Sequence, residues 1–144
     1  MKKFEFHLES ALRLRNTQLQ AEQLKLQRLI AEEQRLRNSL LALTTEQNAA
    51  RTAFHTSASV AAADLRALSS FLVGMELASA RLAEQIAAKQ RVVEEQRSHV
   101  IAAERNVKLL EKLKGQRFAE WNHELDLQLE TLAQEAWTSA HIRR

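Results

Sequence analysis

The side chains able to do chemistry are few and poorly placed for it. Five histidines, His7, His55, His99, His123 and His141, are spread along 144 residues. None belongs to a His-Glu-x-x-His run or sits four residues from another, the spacing that lets two imidazoles on one helix face share a metal ion. Glycine stands only at 74 and 115, so no glycine-rich loop can wrap a phosphate chain. The absence of cysteine removes thiolate nucleophiles, thiolate ligands and disulfides. Serine–histidine–carboxylate sets and carboxylate pairs converge in space rather than in sequence, but they need a concave, water-poor pocket. The expectation is a chain with no catalytic, cofactor-binding or metal site, and not an enzyme.

The elements that must carry these residues are helices. There is no proline, no tyrosine and only 5% aromatic residue, against 45% hydrophobic and 27% charged. Sheets need turn formers and β-branched or aromatic residues, whereas this bias suits long helices with a thin apolar seam. The opening Met1–His7 lacks the apolar run of a secretory signal, and no window approaches the ~18 apolar residues of a membrane span. A soluble chain without direct membrane insertion is expected.

A heptad template of alternating three- and four-residue steps tests the helices. From Leu8 through Leu12, Leu19, Leu26, Leu36 and Leu43 to Phe54, ten of fourteen seam positions are apolar. From Leu72 through Met75, Leu82, Ile86, Val93, Val100 and Val107 to Leu110, nine of twelve are. Such a stripe is stable in water only against another stripe. Between them, residues 52–63 lose charge and collect Thr56, Ser57 and Ser59, whose hydroxyls could satisfy the free N–H groups of a helix end. The spacing predicts an all-α fold, a long two-helix antiparallel coiled-coil hairpin forming a single domain. Helix one runs from about 4 to 55, the turn from about 56 to 61, and a longer helix two from about 62 to 140. Gly74 reads as a tolerated helix glycine. Folding back near Ser59 sets Glu22 opposite Gln96 and Glu33 within a turn of Lys89.

Unequal arms leave residues from about 115 to 140 without a partner in the chain. Past Leu110 the apolar spacing shifts to four-residue steps through Phe118, Trp121, Leu125, Leu129 and Leu132, and Trp137 follows. An apolar stripe left in water implies an external partner or self-association; burial inside a three-helix bundle is the alternative. The net charge of +3 conceals an asymmetry, since residues 118–144 hold five acids against two arginines. The basic residues elsewhere alternate with glutamate and glutamine, as on a solvated coiled coil, so no nucleic-acid partner is expected.

The order and spacing of three segments resemble the FliJ family, the small coiled-coil component of the bacterial flagellar type III export apparatus. Phe4-Glu5-Phe6-His7-Leu8 leading to Leu12 and Arg15 is similar to the family's opening. Asp64-Leu65-Arg66-Ala67-Leu68 leading to Phe71 and Leu72 resembles its entry into helix two. Ala103-Glu104-Arg105-Asn106-Val107-Lys108 through Glu111, Leu113 and Lys114, then Phe118 and Trp121, matches its C-terminal segment. Where the family commonly carries an Asp-Glu pair after the last leucine, Ala133-Gln134 stands here.

The resemblance implies a stalk and chaperone protein, cytoplasmic and peripheral at the inner face of the cell membrane. Its expected partners are the hexameric flagellar export ATPase, the membrane export gate protein and export chaperones. The unpaired stripe of Phe118, Trp121, Leu125 and Leu132 is the expected ATPase contact. Phe71, Met75 and Ala78 are the gate contact to which the resemblance points. A stalk homologue of a virulence secretion system, or a generic scaffolding or nucleic-acid-binding coiled coil, stays open as an alternative.

Overall fold

A computed structural model describes residues 2–143. Among them are two helices, α1 (Glu9–His55, 47 residues) and α2 (Ala62–Ile142, 81 residues), and no strand. The chain is an all-α, antiparallel helical hairpin whose second helix is the longer. Its contacts divide into two units, Ala21–Val100 and Met1–Gln20 with Ile101–Arg144.

In the first unit, α1 and α2 pack along the seam that the heptads predict. Met75, Ile86, Val93 and Val100 are buried, and Leu26, Leu36, Leu43 and Leu82 are half-buried. The deepest row on α2 is β-branched, Ile86, Val93 and Val100 recurring every seven residues. Their stiff side chains fill the narrow space between two backbones with little rotamer loss. Gln96 is the one polar residue buried with them; its amide donates to the Glu22 carbonyl at 3.0 Å and to the Glu22 carboxylate.

The expected Glu33–Lys89 pair is replaced by its neighbour. Lys89 leaves the seam along its own stem, as lysines do when the head seeks water, and meets Glu32 at 2.8 Å. Glu33 turns instead to Arg37 on its own helix, also at 2.8 Å. The Lys89 ammonium, through its hydrogen bond first and its charge second, holds the Glu32 carboxyl below the usual carboxylate range. The Arg37 hydrogen bond does the same for Glu33.

The turn spans residues 56–61 and uses no left-handed residue. Its hydroxyls do not cap the start of α2. Thr56 Oγ1 donates to the Thr52 and Ala53 carbonyls, and Ser57 Oγ donates to the Ser59 carbonyl. A hydroxyl that follows a helix meets free carbonyls, so it acts as donor there; α2 begins instead with the Leu65 amide bonded to the Ala61 carbonyl and Asp64 in its first turn.

In the second unit, α1 starts at Glu9 rather than near residue 4. Lysines at 2 and 3 oppose the positive end of a helix, and Phe-Glu-Phe-His is a weak helix former, so the chain ahead of Glu9 is non-helical. Glu9 accepts from Lys114 at 2.9 Å, and Leu12 and Val107 are buried where α1 and α2 meet.

Candidate functional site

The non-helical lead Lys2–Leu8 lies along α2, and the two enclose a cleft of about 640 Å³ with Leu113, Arg117, Glu120, Trp121 and Glu124. Phe4 anchors it. Its ring meets Phe118 edge-on, 5.2 Å between centroids, and tilts against Trp121 at 5.9 Å, while Phe118 and Trp121 stack at 5.8 Å. Phe118 and Trp121 are three apart on α2 and share a face, which is why one ring can bridge both. Within the stretch expected to be unpaired from about 115 to 140, the lead thus meets Phe118 and Trp121. Helical pairing ends near Lys114, and beyond it the lead lines a cleft that reaches Glu124.

Phe4 does not close the surface. Phe118 stays 46% exposed, Leu125 is half-buried, and Leu129 and Leu132 face solvent. Every residue from Asp126 to Arg143 is exposed. Glu124 and Glu135 stand along one edge of this stripe, so it joins apolar surface to negative charge. Of the four expected ATPase-contacting residues, Phe118 and Trp121 form one aromatic cluster, and Leu125 and Leu132 continue the same helix face. Phe4 is the member that the heptads do not reveal. Sequence reading missed it; the one signal for it is its place in a short aromatic run, in a chain with five phenylalanines.

The three residues expected at the gate contact do not share one environment. Phe71 is 41% exposed, Ala78 is half-buried, and Met75 is 7% exposed inside the seam. Exposed Val73 and Leu77 flank them on the outer side, and Glu76 is the single charge between Arg66 and Arg81. That uncharged run marks the patch more clearly than the seam spacing does.

Among the described residues no three histidine, aspartate or glutamate side chains gather as a metal set, and no helix is long and apolar enough to cross a membrane. The hairpin with its aromatic end can offer surface to another macromolecule, through rings, leucines and flanking carboxylates.

The family model described as Flagellar FliJ protein matches residues 4–132. The chain belongs to the FliJ family. It is therefore a component of the flagellar export apparatus, in a family whose members are non-catalytic. The matched span of this FliJ-family chain runs from Phe4, the ring that covers the cluster, to Leu132 on the open stripe. No curated protein and no solved structure matches the chain.

Proposed function

We propose that this FliJ-family chain is a non-enzymatic stalk that docks on the hexameric flagellar export ATPase through Phe118, Trp121, Leu125 and Leu132. The observation that carries the reading is the half-exposed aromatic pair running into a leucine stripe that is exposed at Leu129 and Leu132. Burying such a stripe contributes roughly 25 cal/mol for each Å² of apolar surface removed from water. A central opening in a ring would offer that burial from several sides at once.

The link to the membrane export gate is proposed at the start of α2. Phe71 and Ala78 supply the surface there, and Met75 supports them from the seam. Escort of export chaperones and a position at the cytoplasmic face of the membrane complete the reading; both rest on family membership.

The test is direct binding to the hexameric export ATPase, comparing the full chain, the chain ended after Glu124, and Trp121→Ala. Ending after Glu124 keeps Phe4 on its cluster and removes the open stripe. Loss in both variants is expected, and undiminished binding in both refutes the docking site.

A further inference from the structure

On α2, from Ile101 onward, a second solvent face lies opposite the face that carries Phe118 and Trp121. Starting at Ile101 and stepping by alternating fours and threes, it passes Arg105, Lys108, Lys112 and Gly115 to Ala119. From Ala119 the same steps in mirror order lead through His123, Asp126, Glu130 and Ala133 to Trp137. Every one of these positions is exposed. Thirty-six residues separate the two ends. That is about ten turns at 3.6 residues per turn, so the face runs straight along the helix.

The chemistry is divided at the centre of this face. Arg105, Lys108 and Lys112 stand on one side of Ala119, Asp126 and Glu130 on the other, and none of the five makes an ion pair among the described residues. The ends are large and apolar, Ile101 49% and Trp137 65% exposed. The centre is small: Ala119 flanked by Gly115, where a methyl group would meet nothing within 4 Å.

We propose that this face binds a second copy of the chain, the two α2 helices crossing antiparallel about a two-fold axis at Ala119. The palindromic spacing then sets Lys112 against Asp126 of the other copy, Lys108 against Glu130, and Ile101 against Trp137. Each pairing occurs twice. Gly115 lies opposite the larger His123, and Ala119 opposite itself, so the backbones approach at the axis. A two-fold pairing of one patch with itself closes, and growth stops at the dimer. Parallel pairing would set lysine on lysine and acid on acid, which charge repulsion disfavours. The occupant is thus given by the face itself, since Lys112 and Lys108 mirror Asp126 and Glu130 about Ala119, while Arg105 falls opposite the small Ala133. The opposite face, with Phe118, Trp121 and Leu125, stays open in the dimer.

Sedimentation of the full chain tests this, with circular dichroism verifying helix content. The wild type should sediment as a monomer–dimer equilibrium weakened by salt. Lys108→Glu with Lys112→Glu leaves Arg105 as the face's one arginine or lysine among acids, and Asp126→Lys with Glu130→Lys makes the face wholly basic. Each double variant alone should dimerise at least about tenfold more weakly, as like charges then face each other. Mixed one to one, the two should recover association as a heterodimer. A wild type that stays monomeric at every concentration, association that either reversal leaves unchanged, assembly beyond the dimer, or a mixture that stays monomeric overturns the proposal.

Discussion

Gln96 reaches across the seam to Glu22, donating to its main-chain carbonyl at 3.0 Å and to its carboxylate. A buried amide between rows of valine and leucine is a register device, because any slip along the seam strips it of both acceptors. Glu22→Ala is expected to cost about 1 kcal/mol, the net worth of one such bond, since the main-chain acceptor remains. Replacing both residues by leucine should recover that loss, because an apolar pair leaves nothing unsatisfied. Urea denaturation followed by helix signal measures both. A leucine pair less stable than Glu22→Ala would count against the register role.

Phe4 covers one side of Trp121, so the indole reports on the lead. Phe4→Ala in a Trp137→Phe background, which leaves Trp121 as the single indole, is expected to shift its emission to the red and increase its quenching by iodide. Helix content should hold, since the lead is non-helical. The loss in stability should be about 1 kcal/mol for the missing ring pairs, beyond the area they cover. Emission unchanged by Phe4→Ala would mean that the lead does not rest on Trp121 in solution.

The Glu32–Lys89 pair sets a pH dependence whose sign follows from its cause. Lys89 lowers the Glu32 carboxyl in the folded state, and Arg37 lowers that of Glu33. Their stabilisation is present above the unfolded carboxylate value and is lost as pH falls through the lower folded one. Melting temperature should therefore decline below about pH 4.3, where unfolded glutamates take up protons. Lys89→Ala should flatten part of that decline and change stability little at neutral pH, as the loss of an exposed pair does. Thermal melts across the acid range, repeated in high salt, measure the slope. A decline as steep in Lys89→Ala as in the wild type would remove this pair as its source.

The seam was legible because periodicity is a property of many residues at once. On α2 every predicted seam position from Leu72 to Leu110 is buried or half-buried, including the polar Ser79, Lys89 and Gln96. Single contacts were less legible. Glu32 and Glu33 are adjacent, and the choice between them depends on where a lysine stem leaves the seam, which heptad position does not encode. Phe4 lies outside any helix, so no repeat places it, and its partners are more than a hundred residues away in the chain. The stripe from Leu125 to Leu132 was readable as apolar spacing, but the contact of the lead with Phe118 and Trp121 just before it was not.

Met75 and Phe71 separate support from contact at the start of α2. Both are large and apolar, four residues apart, yet Met75 is sunk in the seam and Phe71 stands half in water. Met75→Ala removes a packed side chain from between two helices that cannot close over the gap, and should cost about 2 kcal/mol or more. Phe71→Ala empties no core and should cost less than about 1 kcal/mol. If the gate docks here, the order reverses in binding, because the exposed ring supplies the area that docking removes from water. Phe71→Ala should then weaken capture of the export gate protein more than Met75→Ala does once both are compared below their melting transitions. Equal loss of binding from both, in step with stability, would mean that the start of α2 serves the hairpin alone.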